Sequence, residues 1–162
     1  MTKLLAALQV PESCISDNRS AKENRCSIQL KLPPEWTVRQ VAVDGCWMRS
    51  EERKKVDILF HVLPEPIHEP SAVLLVEFKG HHVGHALDQL ESTLQQLSQY
   101  SAWRSMQTFK RFGCVILSKC PQIGNYAQRR QKLTERYKID IRFKSQQLTV
   151  VETDLFPSPR SA

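Results

Sequence analysis

Two apolar segments near the middle of the chain carry charged residues in positions where a buried strand rarely tolerates them. Residues 56–62, VDILFHV, enclose Asp57, and the run AVLLV leads directly into the tripeptide from Glu77 to Lys79. The length and the β-branched and aromatic content of both segments predict strands of a buried sheet. Burying a charge is costly unless it is paired or bound to a metal, so these residues restrict both the fold and the function.

The alternation of side chains along a strand predicts how these groups are placed. Glu77 and Lys79 share one face, and Phe78 points to the other. An acid on a neighbouring strand, for which Asp57 is the natural candidate, would converge with Glu77 on a divalent cation that prefers oxygen ligands. Such a cation polarises a phosphoryl oxygen and lowers the pKa of a bound water, while a nearby lysine orients that water or offsets charge on the phosphate.

The pattern therefore predicts metal-assisted cleavage of a phosphodiester bond. The plainer interpretation is that Glu77 and Lys79 form an ion pair at a sheet edge while Asp57 caps a turn. Acid-x-Lys is a common tripeptide, so the prediction depends on its place at the end of an apolar strand.

Three segments, KKVDILF, LLVEFKG and HALDQLESTLQQL, together resemble the PD-(D/E)xK phosphodiesterase superfamily, which includes many restriction endonucleases, junction resolvases and repair nucleases. The resemblance covers roughly residues 38–98. It implies an α/β fold with a restriction-endonuclease-like mixed central sheet flanked by helices. It also implies Mg²⁺ or Mn²⁺ as the cofactor and nucleic acid, with DNA preferred over RNA, as the substrate.

The resemblance assigns roles to individual residues. Asp57, Glu77 and the backbone carbonyl of Phe78 correspond to the metal ligands, and Lys79 corresponds to the lysine that assists the attacking water. Gln89 stands on the following helix, where a polar residue often completes the site, and its plain alternative is a surface glutamine.

The chain departs from the superfamily pattern just before the first acid. Val56 stands where a proline is often found. Asp44, in AVDGCW, is the preferred additional acid and metal ligand. It also fits a turn, because Asp-Gly is a strong turn signal, and both interpretations stay open.

The rest of the chain reads as an alternating α/β order within one domain of ordinary size. A nuclease-like core is predicted over residues 26–155, preceded by an N-terminal helix and polar loop within residues 1–25 and followed by a flexible tail over 156–162. Leucines at helical spacing mark the central helix. The predicted elements are helices at 2–9, 82–102 and 122–137, a loop at 12–25, and strands at 26–32, 38–43, 55–63, 72–79, 112–118, 139–144 and 147–152.

The net charge of +6 and the sequence pI near 9.2 favour a polyanionic partner. Basic residues and histidines cluster around the motif and along the later helix, although each cluster also fits a solvated surface. The predicted phosphate-binding residues are Arg53, Lys54, Lys55, His82, His85, Arg129 and Arg130. Together with His81, the two histidines would also suit zinc, but the carboxylate motif favours a hard cation instead.

Five cysteines, Cys14, Cys26, Cys46, Cys114 and Cys120, are widely spaced and form no CxxC pair, which disfavours a zinc ribbon. We expect free thiols in a reducing compartment, with Cys46 and Cys114 in the core. No apolar stretch approaches the roughly 20 residues of a membrane span, and the N-terminus lacks a secretory signal. These features predict a cytoplasmic protein with no membrane partner.

Three function classes remain open. The first is a metal-dependent nuclease, acting as an endo- or exonuclease. The second is a non-catalytic module that binds nucleic acid or a protein, and the third is an accessory subunit whose acids serve only structure. Relatives with this fold often act as dimers, so the resemblance also implies a possible homodimer.

Overall fold

The computed structural model of the chain describes residues 1–49, 54–65, 71–105, 109–120 and 123–157. Nine strands and five α-helices lie in these segments, together with two short 3₁₀ turns. The strands are β1 Ile15–Ser16, β2 Ser20–Glu23, β3 Cys26–Lys31, β4 Thr37–Ala42, β5 Ile58–Leu63, β6 Ala72–Lys79, β7 Lys110–Leu117, β8 Asp140–Ser145 and β9 Gln147–Val151. The helices are α1 Lys3–Ala7, α2 Val83–Leu97, α3 Ser101–Ser105, α4 Ala127–Tyr137 and α5 Glu152–Leu155.

The main sheet is mixed and has six strands in the order β1-β4-β5-β6-β7-β8. Strands β1, β4, β5 and β6 pair antiparallel, while β6, β7 and β8 pair parallel. The change of direction follows from the connections. Strands β4, β5 and β6 follow one another along the chain as an antiparallel meander, whereas α2 and α3 carry the chain back between β6 and β7, as a parallel pair requires.

A second sheet of three strands, β2-β3-β9, covers one face of the main sheet. Strands β2 and β3 form an antiparallel hairpin, and β9 pairs parallel to β3 from the far end of the chain. The apolar cluster between the two sheets includes Ile28, Phe60, Leu74 and Leu148. The other face of the main sheet is covered by the helices, so the molecule has three layers.

The central helix α2 covers the face of the main sheet that lies opposite the second sheet. Its leucines recur three or four positions apart and form one buried stripe, which consists of Leu87, Leu90, Leu94 and Leu97. They pack with Leu59, Val73 and Leu75 of the main sheet. Side chains of β6 that point to this face have odd numbers, and Glu77 and Lys79 belong to that set.

The structure shows a mixed α/β protein with helices on the main sheet, and the strands predicted from apolar runs are present. Three predictions need correction. The loop predicted at 12–25 contains β1 and β2, because their residues pair with β4 and β3. The helix predicted at 82–102 ends at Leu97 and restarts as α3. The helix predicted at about 122–137 is a 3₁₀ turn over Gly124–Tyr126 and an α-helix over Ala127–Tyr137. Most of the tail predicted at 156–162 lies outside the described residues.

The expectation of free thiols was wrong for two of the five cysteines. Cys14, at the end of a 3₁₀ turn, forms a disulfide with Cys46, in the loop that follows β4. Cys26 and Cys114 are buried free thiols, and Cys120 is an exposed one. A disulfide is typical of an oxidising compartment. The longest described helix has 15 residues, and none of the described helices combines the length and hydrophobicity of a membrane span.

Candidate functional site

Asp57 and Glu77 meet at one end of the β5–β6 hairpin. The register pairs Ile58 with Val76, so Asp57, which precedes β5, lies across from Glu77. The Asp57 backbone N–H donates to the Val76 carbonyl over 3.1 Å. Its carboxylate Oδ2 accepts a 2.7 Å hydrogen bond from the Phe78 backbone N–H. Because the N–H and carbonyl of a strand residue point to the same neighbour, the Phe78 carbonyl is also directed toward the Asp57 side of β6.

The Glu77 side chain is only 1% exposed, which is unusual for a carboxylate. Lys79 Nζ lies 2.8 Å from Glu77 Oε1 and forms an ion pair with it. Within the described part of the chain Lys79 is the one donor beside Glu77, and Glu77 Oε2 has no hydrogen-bond partner. Lys79 is more exposed and reaches from the surface to the buried acid.

The two acids perturb each other. Burial, followed by repulsion from Asp57, raises the pKa of Glu77 to about 8, and the nearby Lys79 ammonium opposes that rise. Burial also raises the pKa of Asp57 to about 6, while the hydrogen bond from the Phe78 N–H lowers it. Paired carboxyl groups with raised pKa values at an accessible edge are typical of functional sites.

Two residues of α2 hold the segment that leads into Asp57. Gln89 Nε2 donates to the Lys55 carbonyl over 2.7 Å. Thr93 Oγ1 accepts a 3.0 Å bond from the Val56 N–H and donates to the Gln89 carbonyl over 2.9 Å. The structure therefore brings Gln89 to the site, where its amide N–H contacts the backbone beside Asp57.

Asp44 lies near the two acids but has a partner of its own. Its carboxylate is 3.2 Å from Lys55 Nζ, and the Lys55 side chain is only 6% exposed. Lys55 was predicted to contact phosphate. Instead its side chain is buried, and its ammonium group forms an ion pair with Asp44. Negative charge on Asp44 contributes to the raised pKa of Asp57.

The other predicted phosphate-binding cations are largely neutralised locally. Lys54 and Arg129 both pair with Asp88, over 2.7 Å and 2.6 Å, and Arg129 also contacts Glu91. The Arg130 guanidinium lies 5.9 Å from the centre of the Phe143 ring. Arg53 lies outside the described residues.

The three histidines form an exposed stack where β6 passes into α2. The ring centres of His81 and His82 are 4.0 Å apart, and those of His82 and His85 are 5.3 Å apart. Within the segments that the structure describes, no group of three or more His, Cys, Asp or Glu side chains has the arrangement of a metal site. The histidines lie beside the candidate site without joining it as a ligand set.

Sequence reasoning missed one acid, Glu23, at the end of β2. Its negative charge acts on both Asp57 and Glu77 and helps to raise the pKa of each. Side chains alternate along β2, so Glu23 shares the inward side of the strand with Ala21, which packs against the apolar cluster between the sheets. The available signal was the sequence ENRC, a turn in which Asn24 adopts a positive φ of 51°.

Comparison of the chain with protein-family models, with curated proteins and with solved structures finds no match.

Proposed function

We propose that this protein is a metal-dependent nuclease that hydrolyses phosphodiester bonds of nucleic acid, with DNA as the preferred substrate. One observation carries the proposal. Glu77 is a buried carboxylate whose one partner among the described residues is the Lys79 ammonium, 2.8 Å from Oε1, and it lies beside Asp57 at an end of the sheet. A carboxyl group that served only structure would be expected to find donors for both of its oxygens, since a buried polar atom without a hydrogen-bond partner is destabilising.

The donor set suits a hard divalent cation. Asp57 and Glu77 supply carboxylate oxygens, and the Phe78 carbonyl is directed to the same side of β6, which is the chemistry that Mg²⁺ or Mn²⁺ prefers. When bound there, the cation would polarise the scissile phosphoryl group and acidify a water molecule. Asp44 is paired with Lys55, so we leave it out of the proposed ligand set.

The protein groups around the acids have separate tasks in this proposal. Lys79 is partly exposed and carries an ammonium group that can orient a water molecule or offset charge on the phosphate. The Phe78 N–H holds the Asp57 carboxylate in one orientation and leaves its second oxygen open. Gln89 and Thr93 hold the backbone before Asp57, which makes them positioning residues.

A cleavage assay with a matched lysine control tests the proposal. Purified protein is incubated with labelled linear, circular and branched DNA and with RNA, in Mg²⁺, Mn²⁺ or EDTA. Lys79→Ala should lower metal-dependent cutting by roughly 10²–10³-fold, the range found when one electrostatic contact to the transition state is removed. Lys31→Ala removes an exposed lysine from the end of β3 and should leave cutting unchanged.

Other results would overturn the proposal. If the wild-type protein binds nucleic acid and cuts nothing in either metal, a non-catalytic nucleic-acid-binding module becomes the better assignment. If Lys79→Ala cuts as well as Lys31→Ala, any nuclease activity lies elsewhere or comes from a contaminant.

We extend the proposal to fold type, assembly and location. The mixed sheet with helices on one face supports the restriction-endonuclease-like arrangement that the motif implies. A homodimer would supply two sites for two strands, and sedimentation of the pure protein measures it. For a cytoplasmic location we expect Cys14 and Cys46 to be thiols, so alkylation of intact cells followed by mass spectrometry should label both; a disulfide in cells would argue for an oxidising compartment.

A further inference from the structure

A cleft beside the two acids has no role in the site as described so far. The turn that joins β2 to β3 forms one wall, and the end of β6 forms the other. The cleft has a volume of about 400 Å³ and is lined by Glu23, Asn24, Arg25 and Cys26 from the turn and by Phe78 and Lys79 from β6. Lys79 therefore borders this cleft and also contacts the buried acid.

The walls of the cleft are held together by bonds within the fold. Cys26 Sγ donates to the Lys79 carbonyl over 3.7 Å, and the Ser118 backbone N–H donates to the same carbonyl over 2.9 Å. Glu23 and Cys26 are paired across the β2–β3 hairpin. The turn is thus fastened to the end of β6, and the cleft is preformed, as ligand sites generally are.

The lining combines the groups that one nucleotide needs. Arg25 is exposed, and its side chain has no ion pair or hydrogen bond with the residues that the structure describes. Together with Lys79 it can hold a phosphate group. Asn24 and Glu23 offer amide and carboxylate groups for the polar edge of a base.

The dimensions restrict the form of the ligand. A volume of about 400 Å³ lies at the lower end of the range for sites of small molecules. The cleft admits one nucleotide but not a base pair, so a base must leave the duplex to enter it. Removing a base from the stack costs a few kcal/mol, and the cost is lowest where the strand is already single-stranded.

We infer that this cleft binds one unpaired nucleotide of the strand being cut, next to the scissile phosphate, with Arg25 holding its phosphate group. The inference rests on the proposed nuclease function and specifies its substrate. The protein would prefer single strands, flaps and frayed ends to continuous duplex, because only those present an unpaired nucleotide without unstacking.

Binding without cleavage tests the inference. Fluorescence anisotropy is measured in EDTA for a labelled duplex with a short single-stranded extension and for a blunt duplex of equal length. The protein carries Glu77→Gln in every case, so that no strand is cut. Arg25→Ala is added to remove the phosphate contact, Arg25→Lys to keep its charge, and Lys22→Ala to remove a cation from the outer side of the same hairpin.

The expected result is specific to the extended duplex. The parent should bind it more tightly than the blunt duplex, and Arg25→Ala should weaken that binding about tenfold while leaving blunt-duplex binding unchanged. Arg25→Lys should restore part of the affinity and Lys22→Ala should have no effect. Equal binding of the two duplexes by the parent, or an equal loss on both in Arg25→Ala, would overturn the inference.

This outcome is distinct from failure of the nuclease assignment. If the cleft binds selectively but the protein never cuts, the nucleotide-binding inference stands and the nuclease proposal is rejected. If the protein cuts with metal and Arg25→Ala leaves cutting of extended and blunt duplexes unchanged, the nuclease proposal stands and the nucleotide-binding inference is rejected.

Discussion

The β5–β6 hairpin buries two polar side chains to the same extent, and the protein treats them in opposite ways. His61 and Glu77 are each 1% exposed, and both point to the helix-covered face of the main sheet. His61 Nδ1 lies 2.9 Å from the Thr2 hydroxyl, which also caps α1, while His61 Nε2 has no hydrogen-bond partner among the described residues. Burial lowers the pKa of His61 to about 4, so the ring is neutral in the folded protein.

Neutralisation relieves the free-energy cost of burial less completely for Glu77 than for His61. Its pKa is raised to about 8, yet Lys79 and Asp57 keep a charged group in contact with it at any pH near neutrality. The histidine end of the hairpin is closed by α1, whereas the acidic end adjoins a cleft. Burial of a polar residue is therefore not sufficient evidence of a functional site. A buried polar group that is neutral and has a local partner can have a purely structural role.

The largest expected effect is on cleavage, and it separates the two ends of the hairpin. Glu77→Gln removes a proposed metal ligand and should lower metal-dependent cutting by roughly 10²–10³-fold or more. His61→Gln replaces an equally buried polar residue and should keep the cutting rate within about tenfold, since it touches only the fold. Initial rates at saturating Mn²⁺ measure both. Equal losses of cutting rate in the two variants would mean that Glu77, like His61, affects cutting only by stabilising the fold.

The second effect is a pH dependence of stability that belongs to His61. Its pKa is near 6.5 when unfolded and about 4 when folded, so between these values the unfolded chain binds more protons. The stability is fully present above about pH 6.5 and is lost as the pH falls toward 4, by roughly 3 kcal/mol at 1.36 kcal/mol per pKa unit. His61→Met, which is neutral, should flatten that loss.

Urea unfolding of wild type and His61→Met at about pH 7 and about pH 4 measures the difference. Asp57, Glu77 and the cross-strand Arg39 titrate or remain charged in both proteins, so their contributions cancel in the comparison. A difference that does not change with pH would show that folding leaves the pKa of His61 unchanged.

The acidic end of the hairpin was predictable from local sequence, and the reason is physical. The apolar runs of β5 and β6 predict adjacent buried strands, and the alternation of side chains places Glu77 and Lys79 on one face. The position of Asp57 beside Glu77 follows from antiparallel pairing of these two consecutive strands. The histidine end gave no such signal, because His61 is one polar residue in an apolar run and its partner, Thr2, comes from the start of the chain.

Features that depend on pairing between distant segments were missed. Strand β2 is polar, SAKE, and its only inward apolar residue is Ala21, so no periodicity marked it. Glu23 was therefore overlooked as a neighbour of the acids. The Cys14–Cys46 disulfide was missed because cysteine spacing does not determine which cysteines pair.

A third prediction concerns the cost of the buried acid in the absence of metal. The pKa of Glu77 is raised from 4.5 to about 8, so its contribution to stability is fully present below pH 4.5 and is lost as the pH rises through 8. Glu77→Gln should therefore raise the free energy of unfolding in EDTA at about pH 8 by ~1–3 kcal/mol, and the gain should disappear in acid.

Glu12→Gln is the matched control, because Glu12 is exposed in a 3₁₀ turn far along the chain from the hairpin. It should change stability by less than about 0.5 kcal/mol. Thermal or urea unfolding at both pH values gives the comparison. A Glu77→Gln protein that is less stable at either pH would favour the plain interpretation, in which the ion pair with Lys79 serves structure.

The smallest expected effect tests whether α2 acts on the acidic end by positioning. Gln89→Ala removes the 2.7 Å bond to the Lys55 carbonyl and should cost about 1 kcal/mol of stability. Gln96→Ala removes the same amide from the same helix, but among the described residues its Nε2 donates to the Ser92 carbonyl of that helix. The two variants should therefore be similar in stability.

Cutting should distinguish them. The backbone that Gln89 holds leads directly into Asp57, so its loss should lower kcat about tenfold and leave the KM for DNA nearly unchanged, because small misplacements of a catalytic group reduce rate steeply. Gln96→Ala should cut like wild type. A rise in KM for Gln89→Ala instead would mean that its amide contacts the substrate directly and that the bond to Lys55 is exchanged when nucleic acid binds.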